Sequence, residues 1–406
     1  MQIIRKISVI VLKTVTSLIL IALTAVIATS VSAVYRFAEP APFSGPDVYN
    51  PYNALDSVHC WKRANFHTHT RVKGLLNECE LWPEDVYKAL ERFGYDIVTF
   101  SNHNELTEHP FDPQLQVNVY EHGYNLFKFH KLVFGSRSVN RFDHILPLFA
   151  FQRQFQMNIL AKDSDFLQLN HPLRTNVTSR AVMEKLSGYQ LIELDSGKST
   201  ENEYWDWALS AGHYSHAVAN DDLHYPDRSE RIAVRCNFLC TPSAEYEDIR
   251  KTLLSGKHYC MRVPDYGNGD WEVKYEKNRS LPFIRDIGMR GDTIYVSFSE
   301  PAQSIVFTGQ DHTTLSTSAG STYAQYVMKE NDPYARITAC FPEGEVIYSN
   351  AFARYDSSSS ESPFRNESPE VNIPITILFN MGLLLLLAIT LWGLCKTTGI
   401  SGKKKI

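Results

Sequence analysis

The sequence predicts an α/β domain on a mainly parallel sheet, open or closed into a barrel, followed by a small all-β sandwich and framed by two transmembrane helices. Three observations lead there. Between residues 60 and 282, short apolar runs alternate with helical stretches. From 283 to 356 the runs become strands joined by tight turns, with no helical period. Long apolar segments stand at both ends, near residues 7–34 and 373–395.

Each end segment is close to the ~20 residues that a helix needs to cross a bilayer. The first holds only Lys13 as a charge, and the second holds none. Arg5 and Lys6 precede the first; Lys396, Lys403, Lys404 and Lys405 follow the second. By the positive-inside rule both ends face the cytoplasm, and the intervening chain lies beyond the cell membrane, in an extracytoplasmic (periplasmic) space. The first segment also reads as a signal peptide cleaved near Val31-Ser32-Ala33; on either reading the middle of the chain is exported. Pro374 opens the second segment, where a missing N–H does no harm.

The organisation that follows is a membrane helix or signal anchor at 1–35, a Pro-rich linker at 36–59, the α/β domain at 60–282 and the sandwich at 283–356. A Ser-rich tether at 357–372, the second helix at 373–396 and a basic tail at 397–406 complete it. Within the α/β domain the apolar runs are 64–67, 96–101, 131–135, 166–169, 190–194 and 217–219. Residues 83–93 read as a helix, with Pro83 in its first turn, Glu84 and Asp85 at its positive end and Gly94 as a stop. Residues 246–254 read as another, closed by Gly256. In the sandwich, of about 75 residues, 292–299, 304–307, 323–329, 335–341 and 345–350 read as strands, with a turn at Pro342-Glu343-Gly344.

Composition narrows the function. With 44% apolar and 21% charged residues the chain can build an ordinary core. A net charge of −5 gives no footprint for nucleic acid. Cys60, Cys79, Cys236, Cys240, Cys260 and Cys340 lie in the exported part, where disulfides and buried free thiols are both open readings.

The chemistry-bearing residues gather beside the predicted strands. The first run ends in Phe66-His67-Thr68-His69, and in extended chain residues two apart point the same way. The second ends in Ser101-Asn102-His103-Asn104. Glu121 and His122 follow, and His130 stands just before the third run. The fourth ends in Asn170-His171-Pro172, and the sixth in Asn220-Asp221-Asp222-Leu223-His224. A lone histidine is usually structural. Packing gives no reason for histidines and carboxylates to recur at strand ends, where α/β folds gather their ligands, so a metal site is expected. His109, His122, His144, His213 and His216 read as non-ligands, His122 least securely because it adjoins Glu121.

These motifs, in this order over residues 60–263, resemble the polymerase-and-histidinol-phosphatase (PHP) family of phosphoesterases. His67-Thr68-His69 resembles its HxH opening, and the run from Phe93 to Asn104 resembles its second motif. Glu121 resembles its bridging glutamate, His130 the histidine that follows, His171-Pro172 its His-Pro, and Asp222-Leu223-His224 its closing Asp-x-His. The resemblance implies a distorted (β/α)7 barrel holding two to three divalent ions, with Zn, Mn and Fe all suited to such donors. It places one ion on His67, His69, Glu121 and Asp222, a second on Glu121, His130 and His171, and a third on His103 and His224. It implies hydrolysis of a phosphomonoester or phosphodiester by a metal-activated water, with a phosphorylated small molecule or other phosphoester as partner. His224 is then a candidate proton donor, and Arg174 a candidate contact to a phosphate oxygen. Two departures stand out. The family's Ser-Asp-Gly after HxH is replaced by Thr70-Arg71-Val72-Lys73-Gly74, which costs the third ion a carboxylate, and Asn102 replaces an Asp. Glu78, Glu80 and Glu105 are nearby in the chain, and the sequence places none of them. The other class of function is a catalytically inactive PHP-fold binding or scaffold module on the membrane.

Overall fold

The computed structural model describes residues 2–55, 61–73, 77–174, 177–196, 199–200, 202–364 and 368–398. Its central strands are β1 (Trp61–Asn65), β2 (Ile97–Val98), β3 (Val119–His122), β4 (Lys131–Phe134), β5 (Phe166–Leu169), β6 (Leu191–Ser196), β7 (His216–Asn220), β8 (Arg235–Cys240) and β9 (His258–Arg262). One sheet has the order β7-β6-β5-β4-β3, and a second contains β9-β8-β1-β2.

The mainly parallel sheet expected from the alternation is in fact mixed. The pairs β7–β6, β6–β5 and β1–β2 are parallel, whereas β3–β4, β4–β5, β1–β8 and β8–β9 are antiparallel. For β3–β4 the reason is loop length. Only eight residues separate His122 from Lys131, too few for the crossover that a parallel pair requires.

Among the described residues the strand ladder does not close into a continuous barrel. The two sheets face a shared core in which Phe66, Ile97, Val119, Leu132, Phe134 and Leu239 are buried together. Alternate residues, such as Tyr120, Val133 and Ile192, pack outward under the helices, as period-two side chains must. Two seams join the sheets. At one, the Glu121 N–H donates to the Ser101 carbonyl at 3.1 Å and the Asn104 N–H to the Glu121 carbonyl at 2.8 Å. At the other, asparagine side chains replace missing ladder bonds. Asn237 Oδ1 accepts the Ala219 N–H and its Nδ2 donates to the Ala219 carbonyl, both at 2.9 Å, while Asn220 Oδ1 accepts the Phe66 N–H at 2.9 Å.

Helices α1 (Gln2–Thr29), α2 (Pro83–Glu91), α3 (Ala150–Leu160), α4 (Asn202–Ser210), α5 (Tyr246–Ser255), α6 (Trp271–Asn278) and α7 (Ile373–Thr398) surround this frame. α2 and α5 form where Pro83 and the acidic first turns predict them; α3, α4 and α6 carry too weak an apolar period to be read. Gly256 ends α5 with φ +77°, and a side chain there would strike the His216 ring.

The chain after α6 forms β10 (Ile284–Arg290), β11 (Thr293–Gly309), β12 (Thr313–Val327), β13 (Tyr334–Cys340), β14 (Val346–Tyr348) and β15 (Phe352–Tyr355). All their pairings are antiparallel. Two expected strands are one, since β11 continues through Pro301, where its register against β12 shifts. β14 also pairs with β9, so this unit extends the second sheet. An ion pair adds a second tie. Buried Asp206 of α4 accepts from Arg336 of β13 at 2.8 Å (Nε) and 2.6 Å (Nη2), with His312 and Tyr334 on the same carboxylate. Cys240 is disulfide-bonded, whereas Cys79, Cys236, Cys260, Cys340 and Cys395 are free.

α1 and α7 are both long and apolar enough to cross a membrane. They run side by side, with Ser17 Oγ donating to Thr397 Oγ1 at 3.0 Å and Asn380 Nδ2 to the Ser32 carbonyl at 2.8 Å.

Arg336→Met leaves the Asp206 carboxylate buried without its main partner and is expected to cost about 3–5 kcal/mol, read from the denaturant midpoint. Burial pushes Asp206 up, but Arg336 outweighs it and holds the folded pKa below the ordinary value. The stabilisation is therefore complete above pH ~4 and declines as the pH falls through that depressed value. An Arg336→Met midpoint equal to that of the parent at pH 7 would show that the pair contributes nothing.

Candidate metal centre

All the strand ends that carry motif residues meet at one end of the two sheets. His67 and His69 extend β1, paired with the segment after β7: the His69 N–H donates to the Leu223 carbonyl at 2.9 Å and the Leu223 N–H to the His67 carbonyl at 3.2 Å. His103 follows β2, Glu121 lies in β3, His171 follows β5, and Asp222 and His224 follow β7. His130 precedes its strand and still reaches the same end, because β4 runs antiparallel to β3 and β5. His171 and Asp222 have φ of +24° and +49°, a turn of backbone that aims both side chains inward.

Glu121 is the hub. Its Oε1 lies 3.0 Å from His130 Nδ1 and 3.2 Å from His171 Nε2, and accepts from Asn170 Nδ2 at 3.0 Å. Its Oε2 lies 3.2 Å from both His67 Nε2 and His69 Nε2 and 3.0 Å from His103 Nε2. Asp222 Oδ1 stands 3.2 Å from His67 Nε2 and 3.4 Å from His69 Nε2. The Arg174 guanidinium contacts the other Asp222 oxygen. His224 donates through Nδ1 to the Asp222 carbonyl at 2.8 Å, with its ring 4.2 Å from that of His69.

Two carboxylates complete the cluster beyond the motif residues. Glu78 Oε2 lies 3.2 Å from His103 Nε2, 3.5 Å from His69 Nδ1 and 4.0 Å from His224 Nε2. Glu193, buried in β6, accepts from His67 Nδ1 at 3.0 Å, from Asn220 Nδ2 at 3.1 Å and from the His171 N–H at 3.0 Å. Its signal in the sequence is a carboxylate inside the apolar run Leu191-Ile192-Glu193-Leu194, which burial forces to find partners. Asp221, beside Asp222, points away and accepts the N–H groups of Ala233, Val234 and Arg235 at 2.8, 3.1 and 2.7 Å. Asn102 binds Thr70 reciprocally, accepting from its N–H and donating to its Oγ1, both at 2.8 Å. An aspartate could only accept from that hydroxyl, not donate to it. His122 turns outward to the Phe142 carbonyl at 2.8 Å.

The side chains fit divalent ions. His67 Nε2, both ring nitrogens of His69, His103 Nδ1 and His171 Nδ1 are buried without a hydrogen-bond partner. Each such orphan costs about 1–3 kcal/mol unless something binds it. The groups His67–His69–Glu121–Asp222, His103–Glu121–His130 and His69–Glu78–His103 each bring ligand atoms within 4.8 Å of one another. Burial lowers His103 and His171 to about 4 and also lowers His130, so these rings rest neutral, with lone pairs free. Burial pushes His67 down as well, but Glu121 and Glu193 outweigh it and raise it to about 10. Both ring nitrogens then carry a proton at neutral pH; Glu193 accepts from Nδ1 and leaves Nε2 facing the centre, where a bound ion would take the place of its proton. Burial pushes Glu121 up, yet His103, His67 and His130 pull it well below the carboxylate range, so it stays charged.

No family model matches the chain, and no curated protein is significantly similar to it. Among solved structures it is similar to a two-domain protein from Bacteroides vulgatus containing a predicted PHP-like metal-dependent phosphoesterase. The two share 14% identity over 78% of this chain and 99% of that one, with a TM-score of 0.36. At that distance the arrangement of side chains in the centre has to carry the functional reading.

Elemental mass spectrometry on the full chain is expected to find two or more ions. Glu121→Ala should lose at least one of them, and Glu78→Gln only the most weakly held. A parent chain with one ion or none, unaffected by loss of Glu121, would mean that the cluster is not a multi-ion centre.

Proposed function

We propose that the chain is a metal-dependent phosphoesterase that hydrolyses a phosphomonoester or phosphodiester. The observation that carries this is the division of Glu121, whose two oxygens each face a separate set of imidazoles. A carboxylate so placed suits the bridge of a two-ion site. Glu78 suits the third position, in place of the absent aspartate. On this reading the facing sheets are a distorted barrel of the PHP type, split at two seams. α1 and α7 anchor the domain in a membrane, with the centre on the extracytoplasmic side.

Bound ions of the Zn, Mn or Fe type would lower the pKa of water and offset charge on the phosphoryl oxygens. The chain's own residues do the rest. Glu193 fixes the tautomer and tilt of His67. Arg174, only slightly exposed against Asp222, can release one N–H to a phosphoryl oxygen and supply a charged hydrogen bond there. His224 keeps Nε2 free by donating through Nδ1, and burial lowers its pKa. It therefore rests neutral, a state better suited to holding an ion than to giving a proton to the leaving oxygen.

The full chain in detergent, loaded with Mn or Zn, is expected to turn over p-nitrophenyl phosphate or bis-p-nitrophenyl phosphate. Arg174→Ala should lower kcat/KM by roughly 10- to 100-fold, the equivalent of one charged hydrogen bond of about 1.5–3 kcal/mol. Unchanged kinetics in that variant would remove Arg174 from the site. An ion-loaded chain that cleaves no phosphoester of either kind would favour a non-catalytic binding module.

A further inference from the structure

A chain of hydrogen bonds links the centre to the two apolar helices. Tyr124 forms the wall of the centre on that side, with its ring 5.1 Å from that of His103 and its Oη donating to the His103 carbonyl at 3.1 Å. Asp143 holds the N–H groups of Tyr124 and Asn125 at 2.8 and 3.0 Å. The Leu126 N–H donates to the Ile145 carbonyl at 3.0 Å. The Ile145 N–H donates to Thr29 Oγ1 at 3.3 Å, and His144 binds the Thr29 carbonyl. With at most ~3.4 Å per residue and ~5 Å between bonded segments, this wall stands within roughly 20 Å of the end of α1.

The register of the helix pair shows where a bilayer surface would fall. Ser17 lies opposite Thr397 and Leu20 against Gly393, so Lys13 and Lys396 share one end. Twenty helical residues, ~30 Å, lead from Lys396 back to Thr376. The far edge of the hydrocarbon layer then lies in the turn Thr376–Asn380, where Asn380 binds Ser32. Phe379 is in that turn, and Phe151 and Phe149 pack on it with ring centres 5.1 and 6.5 Å away. The start of α3 thus sits at the membrane surface. Around it Leu126 is 68% exposed, Leu148 56% and Phe149 50%. An apolar rim continuous with the spans, with aromatic rings at headgroup level, suits lipid.

We propose that this rim enters the outer leaflet and that the substrate is a membrane lipid phosphoester, its phosphate reaching the centre past Tyr124. The proposal rests on the phosphoesterase reading and names the substrate class. The reaction is a hydrolysis: a bond forms from water oxygen to phosphorus, one P–O ester bond breaks, and the leaving oxygen takes the proton that water gives up. No redox partner is needed.

Two measurements on the full chain in phosphatidylcholine vesicles test it. The first attaches bimane at Leu126→Cys in a Cys340→Ser/Cys395→Ser background. Brominated phosphatidylcholine is expected to quench it at least twofold, and unchanged fluorescence would overturn the rim. The second compares phosphatidic acid and phosphatidylglycerol in the vesicles with glycerol 3-phosphate and bis-p-nitrophenyl phosphate in solution. The Leu126→Asp/Leu148→Asp variant is expected to lose at least tenfold on lipid and less than twofold on soluble esters. Turnover of soluble esters with none of the lipids, or equal loss on both, overturns the lipid assignment. With ions bound and no ester of any kind cleaved, the phosphoesterase reading itself fails and takes the lipid assignment with it, while quenching still decides the rim.

Discussion

A single buried carboxylate, Glu121, organises the centre. Five imidazoles and an amide converge on its two oxygens, and it is 1% exposed. A charge taken out of water costs several kcal/mol unless it is met on every side. Meeting it requires the ends of β1, β2 and β5, and the start of β4, to arrive at one point. That requirement explains the mixed strand directions. A short hairpin between β3 and β4 brings His130 to Glu121 from a strand running the other way.

The seams between the sheets follow from the same constraint. A regular ladder would continue past Asn220 and Ser101, whereas here the chain turns inward to deliver Asp222 and His103. The lost backbone bonds are replaced by Asn237 and Asn220 on one side and by the Ser101–Glu121 and Glu121–Asn104 backbone bonds on the other. Left-handed backbone at Asn104, His171 and Asp222 costs of order 1–3 kcal/mol each. Strain of this kind concentrates where side chains must be aimed, and all three residues lie at the centre or next to its ligands.

The setting of the centre matters as much as its contents. The segment 143–145 binds both the Tyr124 loop and the end of α1, and the start of α3 packs on α7. The small β unit is tied on the other side, through the β9–β14 pairing and the Asp206–Arg336 pair. The centre is thereby held in a fixed relation to the apolar helices, which a flexible tether alone would not achieve.

Much of this was readable from residue order alone. HxH spacing, the carboxylates and the histidines at strand ends depend on local periodicity, and so do the two apolar helices and α2 and α5. The structure brings His67, His69, His103, Glu121, His130, His171, Asp222, His224 and Arg174 into one cluster. Local patterns could not show that Glu78 faces His69 and His103, that Glu193 orients His67 from 126 residues away, or that Ser17 is level with Thr397. Nor could they show that the sheets stop short of closure. Those features are contacts between distant segments, decided by strand direction, helix register and the need to neutralise buried charge. Sequence spacing determines which way a side chain leaves its own strand; only the packed structure determines what it meets.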